Sequence, residues 1–374
     1  MNKLILLVCT VLMAGCTATT KEELTESGLK RSDFQTEVNG EKTDLFVLKN
    51  KNKMEVCVTN FGGRIVSVMV PDKDGNMKDV VLGFDSIQDY IKYPSDFGAS
   101  IGRYANRINQ GRFTLDGVEY QLPQNNYGHC LHGGPKGFQY RVYKGVQKSD
   151  QELQLTYLAK DGEEGFPGNL QCTVIMKLTD DNAIDIQYEA ETDKPTIVNM
   201  TNHSYFNLDG DPSTDNSLLT LNADYYTPVD STFMTTGEIV TVEGTPMDFR
   251  KPTAIGANIN QDFEQLKNGN GIDHNWVLNT QGDVNKVCAT LESPTTGIVL
   301  DVYTNEPGIQ VYCGNFLDGT LTGKKGIVYN FRASVCLETQ KYPDTPNKPE
   351  WASAVLRPGE KYHSECIYKF SVRK

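Results

Sequence analysis

The stretch LQCTVIMKLTDDNAIDIQYEA, residues 170–190, indicates the fold class of this chain. Residues 170–178 and 183–190 are short segments rich in apolar and β-branched residues, and Asp180, Asp181 and Asn182 separate them. Asp and Asn favour tight turns because their side chains hydrogen-bond to the nearby backbone. The stretch therefore predicts two strands joined by a turn.

The same pattern recurs on both sides of this stretch. Further strand-like segments lie at residues 55–59, 65–70, 153–158, 298–304 and 362–372. Turn residues such as Asp, Asn, Gly and Pro stand between them, at residues 74–76, 115–117, 161–162 and 307–308. Helical spacing of apolar residues is almost absent, with one or two turns expected at residues 262–267. Many short strands with strong turns predict one large all-β domain, a sandwich or a barrel.

The N-terminus has the composition of an export signal. Lys3 precedes an apolar run that is too short for a membrane-spanning helix, which needs about 20 residues. Ala14 and Gly15 then lead directly into Cys16, and this order resembles a bacterial lipobox. We expect residues 1–15 to be a lipoprotein signal peptide and Cys16 to carry the lipid. Ordinary signal cleavage without a lipid is the alternative.

The polar residues 16–31 offer little to bury and are predicted to form a tether. Residues 32–374 would then form the single β-domain, because no linker interrupts them. Together these features predict an exported, bacterial membrane-anchored lipoprotein, on the periplasmic or cell-surface side. Contact with the membrane is expected only through the lipid at Cys16.

Charge and cysteine content narrow the classes of function. The chain has 48 acidic and 36 basic residues, a net charge of −12, which argues against nucleic acid because phosphates require a basic surface. Seven cysteines follow Cys16, an odd number, and several lie in apolar runs. Most are predicted to be small buried residues. One disulfide remains possible in an oxidising compartment.

A strand that runs into a polar corner, VNMTNHSYFNL at residues 198–208, places His203 where a rigid scaffold could hold it facing a cleft. The motif GRYANRI at residues 102–108 contains Asn106 and Arg107, which supply fixed hydrogen-bond donors. The motif HCLHGG at residues 129–134 contains His132 followed by two glycines, which let the backbone approach a ligand closely. The two histidines of this motif could suggest zinc, but a zinc site needs three or four ligands and no further His or Cys cluster lies nearby in the sequence. No metal is therefore expected.

Three further motifs lie in the C-terminal third. Asp273 in GIDHNW, residues 271–276, can accept hydrogen bonds from adjacent hydroxyls, and Trp276 could offer an apolar face. Gln310 follows a Pro-Gly turn in NEPGIQVY, residues 305–312. Glu338 ends an apolar segment in VCLETQ, where partial burial would shift its pKa for base chemistry. The whole inventory suits a neutral polyhydroxylated ligand and proton transfer.

The order of these motifs resembles the aldose 1-epimerase (galactose mutarotase) family over roughly residues 34–372. The motifs that carry the resemblance are, in order, NFGGRI, GRYANRI, LHGG, GFPG, TNHSYFNL, DHNW, EPGIQVY, GNFLDGT and CLETQ followed by YPD. The resemblance implies a large antiparallel β-sandwich. It differs just before the proposed base, where residues 333–335 read Ala-Ser-Val instead of the more usual Gly and aromatic pair.

The resemblance also implies an activity, the interconversion of the α and β anomers of free hexoses such as glucose and galactose. His203 would be the general acid at the ring oxygen and Glu338 the general base at the anomeric hydroxyl. No cofactor is expected, because only protons move. The residues at the sugar-binding positions of the family are Asn106, Arg107, His132, Tyr205, Asp273 and Gln310. The partner is an aldose, and the oligomeric state is expected to be a monomer.

Other functions remain open at this stage. A glycosidase would need two carboxylates flanking the scissile bond, and Asp273 and Glu338 are the candidates. That reading leaves His203 without a role. A mutarotase for sugar phosphates would need an additional basic cluster. A catalytically silent sugar-binding lipoprotein is the alternative from outside the enzymes. The presence of His203 and Glu338 argues against it, because sugar binding alone requires neither an acid nor a base.

Overall fold

The computed structural model describes residues 22–373. Within these residues nine strands form the largest sheet, and every neighbouring pair is antiparallel. In the order of their neighbours the strands are Lys144–Ser149, Glu152–Ala159, Leu170–Leu178, Ala183–Thr192, Tyr362–Val372, Ile298–Thr304, Ala289–Glu292, Leu218–Leu221 and Thr253–Ala254. The strands Leu170–Leu178 and Ala183–Thr192 are neighbours, as the turn residues between them predict.

Two smaller antiparallel sheets accompany it in the described part of the chain. A six-stranded sheet has the order Tyr205–Phe206, Val335–Gln340, Gly308–Tyr312, Asp273–Val277, Tyr225–Thr227 and Val240–Thr241. A four-stranded sheet has the order Leu45–Lys49, Glu55–Thr59, Arg64–Pro71 and Met77–Asp79.

Short strand pairs and a few short helices complete the residues described. The pairs are Glu37–Val38 with Glu41–Lys42, Ala99–Ile101 with Thr201–His203, Arg107–Ile108 with Cys130–Leu131, Arg112–Leu115 with Val118–Gln121, and Thr196–Ile197 with Val355–Leu356. The α-helices are Ile87–Lys92, Ile255–Ile259 and Glu264–Asn268. The 3-10 helices are Arg31–Phe34, Asn109–Gly111, Phe138–Tyr140, Glu163–Gly165, Lys324–Gly326 and Thr345–Asn347. The helix at 264–268 lies where the sequence predicts one or two turns.

The main hydrophobic core lies between the nine-stranded sheet and the other two sheets. Along Leu170–Leu178 buried side chains alternate with more exposed ones, as expected for a strand with one face on a core. Buried residues of all three sheets form one cluster, and Tyr368 Oη donates a hydrogen bond of 2.7 Å across it to the Leu337 carbonyl. The predicted all-β class and the large antiparallel β-sandwich are therefore confirmed.

The six-stranded sheet differs from the nine-stranded one because both of its faces are buried at the centre. Every residue of Gly308–Tyr312 and Val335–Gln340 is buried. Ile309, Val311 and Leu337 belong to the core. The alternate residues therefore point to the opposite, outward face, because side chains of a strand alternate between the two faces.

Residues 22–31, the part of the predicted tether that the structure describes, lie against the domain. Leu29 is only 2% exposed, Ser27 Oγ donates to Ser67 Oγ at 3.0 Å, and Glu26 N donates to Glu55 Oε1 at 2.8 Å. The packed part of the chain thus begins before residue 32. The predicted signal peptide, residues 1–15, and Cys16 lie outside the described residues.

The seven cysteines after Cys16 are all buried and free. Their prediction as small buried residues is confirmed, and they form no disulfide with one another. Among residues 22–373, no helix has the length and apolar character needed to cross a membrane.

Candidate active site

The outward face of the six-stranded sheet carries a row of polar side chains. Gln310 lies directly opposite Asn275 on one neighbouring strand and Glu338 on the other. Two positions further along, Tyr312 lies opposite Asp273 and Cys336. Residues directly opposite one another in an antiparallel pair share a face, so the register alone brings these groups together.

His203 reaches this row from the strand Thr201–His203. Its Nε2 lies 3.5 Å from Glu338 Oε1, and the two side chains are only 6% and 2% exposed. The imidazole stacks on the Tyr205 ring with centroids 5.0 Å apart. Gly98 N donates to the His203 carbonyl at 3.0 Å, and His203 pairs with Ala99 in the neighbouring strand. A buried histidine and a buried carboxylate are therefore held side by side on rigid strands.

His132 lies next to His203 and is joined to Asn106 by two hydrogen bonds. Asn106 N donates to His132 Nδ1 at 3.1 Å, and His132 N donates to the Asn106 carbonyl at 3.0 Å. The His132 ring meets the His203 ring edge-on at 5.2 Å. Gly133 has a φ of 77°, and a Cβ there would lie 2.1 Å from the Gly102 carbonyl oxygen. The glycine after His132 is thus needed for this close approach.

Arg107 contributes a buried guanidinium. Its Nε and Nη2 donate to Asn126 Oδ1 at 3.1 and 3.0 Å, and the group lies 5.1 Å from the centre of the Phe233 ring. Burial lowers the pKa of Arg107, while the negative charges of Asp273 and Glu338 oppose that shift. The positive charge of this guanidinium therefore interacts with the two carboxylates of the site.

Asp273 is fixed by its neighbour across the sheet. Gln310 Nε2 donates to Asp273 Oδ1 at 2.7 Å. The amide thereby orients the carboxylate and leaves Asp273 Oδ2 for another donor. Both residues are buried.

Burial shifts the two central groups in opposite directions. It raises the pKa of the Glu338 carboxyl well above its usual value, and the charges of Asp273 and Asp96 raise it further, against Arg107. It lowers the pKa of His203 below its usual value, while Asp96 and Asp273 oppose this. A carboxylate with a raised pKa is a stronger base, and an imidazolium with a lowered pKa is a stronger acid.

Several polar atoms of the site are buried without a hydrogen-bond partner in the described chain. They are Asn275 Oδ1, His203 Nδ1, Gln310 Oε1 and Glu338 Oε2. Buried polar groups normally find partners, so a cluster of unpartnered ones favours a polar ligand at this place. A polyol supplies hydroxyls that both donate and accept hydrogen bonds.

All of the predicted site residues belong to this region of the structure. The structure places His203 beside Glu338, Tyr205 and His132, Asn106 beside His132, and Asp273 beside Gln310. The charge of Arg107 interacts with those of Asp273 and Glu338. Trp276 is a correction, because it is fully buried in the core and its Nε1 donates to the Met247 carbonyl at 3.2 Å. It cannot offer a face to a sugar.

Two further neighbours of His203, Tyr312 and Asp96, are not among the predicted site residues. Tyr312 lies 6.3 Å from it between ring centres, and the alternation in GIQVY places Tyr312 on the same face as Gln310. The alternation in the sequence could therefore have identified Tyr312 as a residue of the site. Asp96, from the loop that precedes the strand Ala99–Ile101, had no such signal, because only the folded chain brings it to His203.

Asp96, His132 and His203 each offer one ligand atom within 4.8 Å of the others. By distance alone such a trio could hold a metal ion. The ring of His132 argues against it: its Nδ1 accepts a hydrogen bond from Asn106 N, so Nε2 of the neutral ring carries the hydrogen. A protonated nitrogen donates hydrogen bonds and does not ligate a metal.

Comparison with known proteins assigns the class. Residues 44–369 match the family model described as aldose 1-epimerase. The galactose mutarotase of Mus musculus is 43% identical over 323 residues, covering 86% of this chain and 92% of the relative. The aldose 1-epimerase of Escherichia coli (strain K12) is 41% identical over 335 residues, covering 89% and 96%.

Solved structures give the same result. The crystal structure of an aldose epimerase homologue from C. elegans superposes with a TM-score of 0.83 at 32% identity, over 89% of this chain and 100% of that one. That of galactose 1-epimerase from Lactobacillus acidophilus NCFM has a TM-score of 0.80 at 31% identity, over 91% and 98%. The chain belongs to the aldose 1-epimerase family. The predicted enzyme class, an isomerase that interconverts the anomers of aldoses, is confirmed.

Proposed function

We propose that this enzyme interconverts the α and β anomers of free hexoses, galactose and glucose among them, with Glu338 as general base and His203 as general acid. The observation that carries the proposal is the 3.5 Å separation of His203 Nε2 and Glu338 Oε1, both buried. The base and the acid are thereby held within reach of two neighbouring oxygens of one small molecule. The similarity to relatives named galactose mutarotase supports galactose as a substrate.

The reaction needs only proton transfer. The Glu338 carboxylate takes the proton of the anomeric hydroxyl, the electrons of that O–H bond form the carbonyl, and the bond from the anomeric carbon to the ring oxygen breaks. The ring oxygen receives a proton from the His203 imidazolium. After rotation about the bond next to the carbonyl, the ring closes on the other face: the hydroxyl that attacks the carbonyl returns its proton to His203, and Glu338 gives its proton back to the carbonyl oxygen. Atoms and charges balance without a cofactor.

The surrounding residues bind and orient the sugar. Arg107 and the Nε2–H of His132 are donors, and the free oxygen of Asp273 is an acceptor. Asn106, Tyr205 and Gln310 complete the set of proposed binding residues. Hydrogen bonds to charged groups contribute roughly 1.5–3 kcal/mol each, so a few of them suffice for a small polyol.

The arrangement disfavours two of the three alternatives, the glycosidase and the silent sugar-binding protein. A glycosidase would use Asp273 with Glu338, but Asp273 Oδ1 already accepts from Gln310, while His203 is the group in contact with Glu338. A silent sugar-binding protein has no need for a buried acid next to a buried base, because burying ionisable groups costs stability.

Polarimetry tests the proposal directly. Freshly dissolved α-D-glucose or α-D-galactose should reach its equilibrium rotation much faster with the enzyme than in buffer alone. Hydrolysis of a glycoside without any effect on free sugars would favour the glycosidase. Sugar binding in a calorimeter without acceleration would favour the silent binder.

For the location, we propose that residues 1–15 are removed and that Cys16 carries a lipid. The enzyme would then be exported and held at the membrane as a monomer by this anchor alone. The apolar run followed by Ala14, Gly15 and Cys16 supports the proposal. Free sugar entering from outside the cell would be the substrate at that place.

A further inference from the structure

The carboxylate of Asp96 lies next to both histidines of the site. One of its oxygens and a ring nitrogen each from His132 and His203 lie within 4.8 Å of one another. Asp96 Oδ1 is buried and has no hydrogen-bond partner among the described residues. Burying a carboxylate oxygen without a hydrogen-bond partner lowers the stability of the fold. The position of this oxygen beside two imidazoles therefore suggests that it has a function.

The loop that carries Asp96 is clamped from several sides. Ala99 N donates to the Asp96 carbonyl at 3.0 Å, and Arg64 Nη1 donates to the Phe97 carbonyl at 3.0 Å. Gly98 has a φ of 67°, and a Cβ there would lie 1.9 Å from the Ile65 carbonyl oxygen. The Phe97 ring packs edge-on against Tyr205 at 4.6 Å. The backbone therefore fixes where the Asp96 carboxylate sits.

The two histidines differ in charge, and therefore in how they interact with the Asp96 carboxylate. Burial and the positive charges of His203 and Arg107 lower the pKa of His132 well below its usual value, so His132 is neutral. A neutral ring brings no charge to Asp96, and its Nε2–H remains a donor for the sugar. His203, in contrast, must be a cation to act as the acid. A fixed negative charge next to it favours that form.

We propose that Asp96 is a positioning residue that holds the His203 imidazole in its acid form for ring opening. The inference rests on the proposed function of His203 and deepens it. Asp96 acts through His203 and not on the sugar. It would thereby offset part of the cost of keeping a cation buried among aromatic rings.

The other groups that face His203 do not replace Asp96. They are Glu338, Asp273, Arg64, His132, Tyr205 and Tyr312. Burial lowers the pKa of His203, and among the charges that oppose burial Asp96 acts most strongly, followed by Asp273, whereas Arg64 lowers the pKa as well. Glu338 has to gain and lose a proton during the reaction, so its charge is not constant. Asp96, in contrast, exchanges no proton with the sugar in the proposed mechanism.

The test is Asp96→Asn, which keeps the shape and removes the charge. In the wild type kcat/KM should fall at high pH as His203 loses its proton, and we call this fall the alkaline limb. In the variant the alkaline limb should move to lower pH by about one unit, because a nearby opposite charge typically shifts the pKa of a group such as His203 by that much or more. At its optimum kcat should fall about threefold to tenfold, with KM nearly unchanged. A loss confined to KM, with the limb in place, would assign Asp96 to sugar binding and overturn the proposal.

A second measurement does not depend on turnover. The chain has only five histidines, so the imidazole signal of His203 can be assigned by NMR with single substitutions. The pKa of His203 in the sugar-free enzyme should be lower in Asp96→Asn than in the wild type. An unchanged pKa overturns the role of Asp96 even if the wild type is active. An inactive wild type with a shifted pKa would refute the proposed function and leave the electrostatic contact standing.

Controls separate this effect from a loss of folding. Asp185→Asn removes a half-buried carboxylate on the nine-stranded sheet and should leave both the limb and the His203 signal in place. If Asp96→Asn does not fold, Asp96→Ser removes the same charge with a smaller side chain and should give the same shift. Asp96→Glu should restore the limb at least in part. If both neutral variants fold and neither moves the limb, the proposal is wrong.

Discussion

Gln310 Nε2 donates a hydrogen bond of 2.7 Å to Oδ1 of Asp273 from the neighbouring strand. The contact occupies one oxygen of Asp273 and restricts the orientation of its carboxylate. Asp273 is thus preorganised before any ligand arrives, which saves conformational entropy on binding. The other oxygen, Oδ2, remains an acceptor for a ligand hydroxyl.

Asp273→Ala should lower kcat/KM by about ten- to a hundredfold, because a charged hydrogen bond contributes roughly 1.5–3 kcal/mol. The measurement is initial-rate polarimetry over a range of sugar concentrations. Asp262→Ala is the matched control, since Asp262 is 87% exposed and pairs only with Lys267 at the surface. An effect of Asp273→Ala within twofold would remove this residue from the site.

Much of this site can be predicted because polar and apolar residues alternate along its strands, and this alternation is visible in the sequence. In GIQVY and VCLETQ polar residues stand between apolar ones, and the register makes Gln310 and Glu338 direct neighbours. The other site residues, including His203, are predicted by the order of the motifs along the chain. The same alternation places Trp276 with the core, but the motif alone does not say which face of a strand is the inner one.

Asp96 could not be predicted, for a physical reason. It approaches His203 because Ala99–Ile101 pairs with Thr201–His203, a contact between segments about a hundred residues apart. No local pattern marks a single Asp in a loop as the neighbour of a distant histidine. Likewise, the composition of residues 22–31 does not reveal that Ser27 and Leu29 fit against the domain.

Changing Cys16 to Ala should release the enzyme from the membrane fraction, because the lipid is its only expected anchor. The measurement is fractionation of cells followed by an activity assay of each fraction. Specific activity should be unchanged, since the site lies within the described domain. Unchanged fractionation would show that the anchor hypothesis is wrong.

Removing metal ions should not change the rate. Proton transfer between Glu338, the sugar and His203 needs none, and His132 presents a protonated Nε2 to the site. Dialysis against a chelator followed by polarimetry is the measurement. Activity that is lost and then restored only by an added metal would overturn the proposed mechanism and turn attention to Asp96, His132 and His203 as ligands.

The pH dependence should be bell-shaped, with its acid limb displaced upward. Glu338 acts as a base only when ionised, and burial raises its pKa well above the usual 4.5. It therefore takes up a proton at a higher pH than an ordinary glutamate, and kcat/KM of the free enzyme should fall below that pH. The alkaline limb marks loss of the His203 proton. An acid limb at or below pH 4.5 would contradict burial of an active carboxylate.

The last prediction concerns the acid and the base together, since His203 Nε2 and Glu338 Oε1 lie 3.5 Å apart. Glu338→Gln keeps the shape but cannot accept the proton, and His203→Asn cannot donate one as an imidazolium. Each should lose at least about a hundredfold in kcat, because a general acid or base typically contributes 10²- to 10⁴-fold.

The double variant should lose much less than the product of the two single losses, because both groups serve one ring-opening step. Glu55→Gln is the control for replacing a buried glutamate, since Glu55 is 2% exposed in the four-stranded sheet and pairs with Lys49. It should keep its turnover even if the free energy of unfolding falls. If Glu338→Gln turns over at a near-normal rate at neutral pH, the base is another residue and the contact with His203 serves binding instead.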